Sequence, residues 1–189
     1  MTFIKKLEIT ADTEIMLAEL NELLKTTGWP EEAVINGRGY PSNQLGVTYR
    51  PGAELPWLDA TGSLYNKHLQ KFIGEEKDFT EWNPIGPYTL ETLNRLSVLE
   101  NIKFGRVRYM RMMPKTGLSI HTDAEERYHF VLETNKHALF GEYTGDEDVA
   151  AKCYHIPACG HFYKVDTTVP HFVYNGGWEP RIHLVICPL

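Results

Sequence analysis

Three residues of this chain, His121, Asp123 and His171, carry side chains able to hold a metal ion from one side. Two imidazoles and one carboxylate on one face of an ion leave its opposite face open, the donor set associated with non-heme Fe(II). The spacing suits a sheet protein, because residues i and i+2 of a strand point to the same face. His121 and Asp123 can therefore grip one ion from a single strand end, while His171 has to arrive from a strand distant in sequence. A lone His-Thr-Asp more often makes a surface salt bridge or packs a core, so the weight falls on its surroundings. Arg127 and His129 share one face of the next apolar run. Arg181 opens the run Ile182-His183-Leu184-Val185-Ile186, where a guanidinium is costly unless an anion meets it. That anion is either one of the chain's own acids or an acidic ligand.

The elements that must position these groups fall into two kinds. Residues 2–9 read as a strand, and Asp12 or Thr13 can cap a helix running to Lys25, stopped by Gly28-Trp29-Pro30. Residues 36–43 and 51–62 read as loops around a short strand at 45–49. Helices are expected over 63–73 and over 88–101, the second with Leu90, Leu93, Leu96 and Leu99 at three-residue steps. From residue 105 onward the pattern changes to short strands: 105–112, 118–123, 127–133, 137–143, 151–156, 161–165, 170–174 and 181–186. Many short strands with turn signals between them indicate a sandwich or barrel. A jelly roll leaves a cavity between two facing sheets into which ligands from separate strands can point. The expectation is thus a mainly β chain with N-terminal helices, folded as a double-stranded β-helix of the cupin-like kind. Residues 1–189 are read as a single domain, with 1–104 as a helical and loop support and 105–189 as the core. Arg106, Arg108 and Arg111 on the first of these strands are expected to be solvated and outward-facing.

With 189 residues, 42% of them hydrophobic and 12% aromatic, the chain can bury a sizeable core. Lys and Arg number 19 against 25 Asp and Glu, so the formal charge is −6. That balance argues against a nucleic-acid binder working through a basic face. The three cysteines, Cys153, Cys159 and Cys187, make no disulfide framework, and their spacing fits no common zinc pattern. Reduced thiols, a charged N-terminus and no apolar run of membrane-spanning length point to a cytoplasmic protein without a membrane partner.

At the residues already named, the sequence resembles the aspartyl/asparaginyl β-hydroxylase family of Fe(II)/2-oxoglutarate-dependent dioxygenases. The resemblance covers about the C-terminal half. It rests on Met113-Pro114-Lys115-Thr116-Gly117-Leu118-Ser119-Ile120-His121-Thr122-Asp123, on Arg127-Tyr128-His129-Phe130, on Val169-Pro170-His171-Phe172-Val173-Tyr174-Asn175, and on Arg181. It implies that His121 and His171 hold iron, and that Arg127, His129 and Arg181 bind 2-oxoglutarate. Some members carry Gly where this chain has Asp123; its presence here favours a three-residue iron site. Halogenating relatives lack that carboxylate, so Asp123 favours hydroxylation. Where some relatives carry a hydroxyl toward 2-oxoglutarate, this chain has Met110.

The function implied is a dioxygenase that uses Fe(II), 2-oxoglutarate and O2 to hydroxylate an amino acid, a peptide side chain or a similar small polar substrate. Asn175 is expected either to orient a ligand or to serve as a turn residue before Gly176-Gly177. His183 shares a face with Arg181, and packing is the expected role. Two other classes compete: a non-catalytic cupin-like binding module, and a metal-dependent cupin enzyme that needs no 2-oxoglutarate. The first should have lost ligands that this chain keeps; the second gives no role to Arg181.

Overall fold

A computed structural model describes residues 2–30, 33–35, 38–40, 43–66, 69–146 and 150–189. In chain order the elements begin with β1 (Ile4–Thr10), α1 (Thr13–Thr27), β2 (Ala33–Ile35), β3 (Arg38–Tyr40), β4 (Gln44–Gly46), β5 (Thr48–Tyr49), α2 (Pro56–Asp59), β6 (Tyr65–Asn66), β7 (Lys71–Phe72), β8 (Glu81–Trp82) and α3 (Pro87–Glu100). The remaining strands are β9 (Phe104–Met112), β10 (Thr116–His121), β11 (Arg127–Glu133), β12 (Ala138–Tyr143), β13 (Ala151–Tyr154), β14 (His161–Val165), β15 (His171–Asn175) and β16 (Arg181–Pro188). They form two compact units: residues 1–13 with 111–185, and residues 14–110 with 186–189.

The first unit is the jelly roll expected from the strand pattern. One sheet holds β1, β14, β11 and the Arg181–Val185 part of β16, side by side in that order; the other runs β10-β15-β12-β13. Strand alternation gives each sheet one apolar face, and the two faces meet. Val131, Tyr163 and Val165 of the first sheet pack with Phe140 and Val173 of the second, joined by Phe3 and Ile156. The strands expected over 127–133 and 161–165 have those bounds.

The second unit departs from expectation in three places. The described residues of 63–73 form no helix. Tyr65–Asn66 pairs with Lys71–Phe72 as a hairpin. The Asn66 side-chain oxygen accepts the Leu69 N–H at 3.0 Å, Gln70 takes a φ of 51°, and the Tyr65 and Phe72 rings meet edge to face at 5.3 Å. A side chain that satisfies the local backbone favours a turn over a helix. Within the segments expected as loops, Arg38–Tyr40 is a strand and Pro56–Asp59 a short helix; residues 36–37, 41–42 and 67–68 lie outside the described residues. On α3, Leu93 and Leu96 are buried, but Leu90 and Leu99 are exposed. A three-residue step drifts around a helix of 3.6 residues per turn, so four such leucines cannot share one buried stripe.

Arg106 and Arg108, expected in solvent, are only 5% and 9% exposed. Local hydrogen bonds compensate the burial, those of Arg106 including an acid. Arg106 lays its Nε and Nη2 on the Glu76 carboxylate at 2.7–3.1 Å and gives Nη1 to Gly62 O at 2.8 Å. Arg108 Nη1 donates to Ala60 O and Gly62 O.

Helix α3 begins with Pro87 and has Gly86 as its N-cap, which supplies no capping side chain. Glu19 of α1 does so instead. Its carboxylate accepts the Tyr88 N–H at 2.9 Å, the Thr89 N–H at 2.8 Å and the Thr89 hydroxyl at 2.7 Å. Negative charge at a helix N-terminus also meets the positive end of the helix dipole. Glu19→Ala is therefore expected to cost about 1–2 kcal/mol of stability, read as a lower urea midpoint, with Glu19→Gln losing less.

Candidate metal centre

His121 is the last residue of β10 and His171 the first of β15, and the two are directly opposed in the antiparallel register. Their opposition depends on an irregularity. Leu118 pairs with Val173, so a regular ladder would place Ile120 opposite His171; the register shifts and His121 takes that place. One extra residue on β10 turns the His121 side chain to the face that His171 occupies. The two ring centroids lie 4.3 Å apart.

Asp123 is not on the strand, contrary to the simple i, i+2 argument. It lies in the connection after β10, where its N–H donates to Thr167 O at 2.8 Å. The Thr167 hydroxyl donates in turn to Glu125 O at 2.7 Å. These bonds tie the connection that carries Asp123 to the turn that leads into His171. As a result, one ligand atom from each of His121, Asp123 and His171 falls within 4.8 Å of the others.

Both imidazoles are prepared in the same way. His121 Nδ1 lies 2.7 Å from Ser119 O, and His171 Nδ1 lies 3.0 Å from Val169 O. A carbonyl only accepts, so each Nδ1 carries the proton and each Nε2 lone pair is free for a cation. Burial lowers the His171 pKa, the Val169 hydrogen bond opposes this, and the neighbouring His121 lowers it further. The ring is thus held in the neutral form that metal binding requires. Arg127 Nε sits 3.4 Å from Asp123 Oδ2, and Arg127 Nη1 donates to Glu125 O and Glu126 O.

Arg127 and His129 alternate on β11, both buried, as the sequence suggested. Beyond them lies a second cluster. Arg181 and His183 of β16 are 6% and 1% exposed. Arg181 Nη2 donates to His183 Nδ1 at 2.9 Å, His129 Nδ1 is 3.3 Å from the same atom, and the guanidinium lies over the Phe140 ring at 4.9 Å. Among the described residues no carboxylate pairs with Arg181, and burial lowers its pKa to about 9. A buried guanidinium with no acidic partner among the described residues is costly to desolvate.

Asn175, considered as a ligand-orienting residue, is placed otherwise. Its amide NH2 donates to Met112 O, Met113 O and Glu179 O, while its oxygen accepts from Asn135 Nδ2 and Gly177 N–H. It pins the turns at the far end of β15, and the Gly176-Gly177 turn is the context in which the sequence first offered it. Cys153, Cys159, His155 and His161 form no metal cluster: His155 Nδ1 bonds Ala138 O and His161 Nδ1 bonds Leu7 O. Two contributors escaped the sequence. Thr167 acts mainly through a backbone oxygen, and Phe140 lies beneath Arg181 as an ordinary apolar strand residue; neither has a residue-type signal.

The structure is thus a jelly roll that gathers two imidazoles and a carboxylate at one end and buries a guanidinium against Phe140. Solved structures of the same fold include a 2OG-Fe(II) oxygenase family oxidoreductase from Burkholderia pseudomallei (16% identity, 97% of this chain and 82% of that one, TM-score 0.54). A Pseudomonas putida prolyl-4-hydroxylase matches at 12% identity over 98% of this chain and 91% of that one, TM-score 0.54. HygX from Streptomyces hygroscopicus, solved with nickel and 2-oxoglutarate bound, matches at 9% identity over 98% of this chain and 81% of that one, TM-score 0.53. At these identities the shared property is the fold. No curated protein matches the sequence at a significant level. The aspartyl/asparaginyl beta-hydroxylase family model matches residues 11–187, and the chain belongs to that family. It is accordingly a 2-oxoglutarate-dependent hydroxylase.

Burial, then the Arg181 charge, then His129 and His155 hold the His183 pKa well below the ordinary histidine value. The unfolded chain protonates this ring near about 6.5, whereas the folded chain keeps it neutral to lower pH. Below that value the unfolded state binds the extra proton, so His183 contributes stability above it and withdraws that stability as the pH falls. Urea unfolding of the metal-free protein is expected to show stability declining below about pH 6.5, with a shallower decline in His183→Asn.

Proposed function

We propose that the chain hydroxylates an amino acid, a peptide side chain or a similar small polar molecule, with Fe(II) held by His121, Asp123 and His171 and 2-oxoglutarate held by Arg181, Arg127 and His129. The single observation that carries this reading is the pairing of two sites in one unit: a His-Asp-His cluster within 4.8 Å and a buried guanidinium without an acidic partner among the described residues. The residues fit both groups. Two imidazoles, each with Nδ1 held by a backbone carbonyl, and a carboxylate suit a divalent ion while leaving positions open. The planar guanidinium suits the far carboxylate of a diacid. When bound, iron and 2-oxoglutarate supply the oxidising power drawn from O2, the co-substrate leaving as succinate and CO2.

The chain's own residues bind, orient and shield. Ser119 O and Val169 O fix the imidazole tautomers. Arg127 faces the Asp123 carboxylate and so holds its orientation. Phe140 and the apolar strands around Arg181 exclude water from the anion site, which strengthens the charge interaction there. A cupin enzyme that does without 2-oxoglutarate leaves Arg181 unexplained, and a degenerate binding module leaves the intact ligand set unexplained. Cys153 and Cys159 are exposed thiols, which supports a reducing compartment such as the cytoplasm. Among the described residues no helix is long and apolar enough to cross a membrane.

The test is anaerobic addition of Fe(II) and 2-oxoglutarate, following the visible charge-transfer band of the chelate, then admission of O2 and measurement of succinate. Band and succinate are both expected, and both are expected to vanish in His121→Ala. Arg181→Ala is expected to weaken 2-oxoglutarate binding about 100-fold while iron affinity holds. Iron binding without a band in the unmodified protein would rule against 2-oxoglutarate as co-substrate. Succinate production stimulated by a panel of amino acids and short peptides then identifies the substrate class.

A further inference from the structure

His183 is a buried titratable group in direct contact with Arg181. It is 1% exposed and makes two contacts through one atom: Nδ1 is 2.9 Å from Arg181 Nη2 and 3.3 Å from His129 Nδ1. Arginine has five N–H donors and no acceptor, so the Arg181 contact makes His183 Nδ1 the acceptor. The proton of His183 must then sit on Nε2. An Nδ1 that already accepts cannot also donate, so His129 Nδ1 is the donor in the second contact. The tautomers of both rings thus follow from the guanidinium alone.

We propose that His183 is a positioning residue for 2-oxoglutarate binding: its Nδ1 lone pair fixes the plane in which Arg181 presents its remaining N–H donors and holds the His129 ring in place beside it. The inference rests on the reading of Arg181 as the carboxylate anchor. A guanidinium lying over an aromatic ring can still rotate about the ring normal. Phe140, at 4.9 Å, sets the tilt of the Arg181 plane; a directional acceptor within that plane sets its rotation. An apolar residue at 183 would fill the space and leave the fork unaimed. That distinguishes positioning from packing, the role expected for His183 from the sequence.

Two variants and one measurement on the unmodified protein test this. His183→Phe keeps a ring and removes the lone pair; His183→Asn returns an acceptor oxygen near the position of Nδ1. With Ni(II) as metal, calorimetric titration of 2-oxoglutarate is expected to show affinity falling about 10- to 100-fold in His183→Phe and largely regained in His183→Asn, with Ni(II) affinity within about twofold throughout. With Fe(II), KM for 2-oxoglutarate should rise in His183→Phe while kcat at saturating 2-oxoglutarate holds. Independently of any variant, long-range 1H–15N correlation of the metal-free protein should show His183 as the neutral Nε2–H tautomer. Wild-type affinity in His183→Phe, no recovery in folded His183→Asn, or a proton on His183 Nδ1 each overturns the proposal. Arg181→Ala serves as the companion: if it weakens 2-oxoglutarate binding while His183→Phe does not, only the role of His183 fails. If Arg181→Ala leaves binding intact, the anchor reading fails and this inference with it.

Discussion

The His121–Asp123–His171 cluster depends on one backbone hydrogen bond, from Asp123 N–H to Thr167 O. Asp123 stands beyond the end of β10, where no ladder holds it, and its carboxylate would be free to swing into solvent. The bond to Thr167 O and the Thr167 hydroxyl on Glu125 O attach that connection to the turn before His171. Because β10 and β15 are also neighbours, His121 and His171 are brought together by the same sheet edge. The site therefore needs no long-range salt bridge to assemble. It follows from a bulge, a strand pairing and a turn, each supplied by groups with satisfied hydrogen bonds.

Charge is handled in two contrasting ways. In the second unit, buried Arg106 lies on Glu76 and half-buried Arg50 on Asp59, with the Phe79 ring centroid 5.9 Å from the Arg106 guanidinium carbon and 5.3 Å from that of Arg50. The first pair fastens the Glu76 loop to β9, and the second joins the end of β5 to α2. In the first unit Arg181 is as buried as Arg106 but, among the described residues, is met by the lone pair of His183 and the face of Phe140 and by no carboxylate. Desolvation without a counter-ion costs folding free energy that a ligand carboxylate recovers on binding. The two arrangements differ in whether the fold itself supplies the carboxylate.

Burial and the Arg181 charge together hold the His183 pKa well below the ordinary histidine value. A second positive charge beside the guanidinium would be repelled and unsolvated. Neutral rings can accept as well as donate, which lets His183 receive Arg181 and His129 at once. At the metal cluster, carbonyls play the corresponding part, taking the Nδ1 protons of His121 and His171 and leaving Nε2 for an ion.

Much of this was legible in the chain itself. Alternating apolar runs of fixed length between turn residues determined the jelly roll, because period-2 burial and short connections admit few alternatives. Residue chemistry determined the candidate ligands, since few other functions need His121, Asp123 and His171 together with an arginine inside an apolar strand. Sequence reasoning erred where a side chain overrode local preference: Asn66 made a turn out of an expected helix, and Glu76 drew Arg106 inside from its expected place in solvent. Tertiary structure alone decided that a bulge turns His121 inward, that Asp123 is held from the far side by a backbone oxygen of Thr167, and that His183 meets Arg181. Bulges, backbone acceptors and cross-strand neighbours are properties of pairing between distant segments, and no residue type announces them.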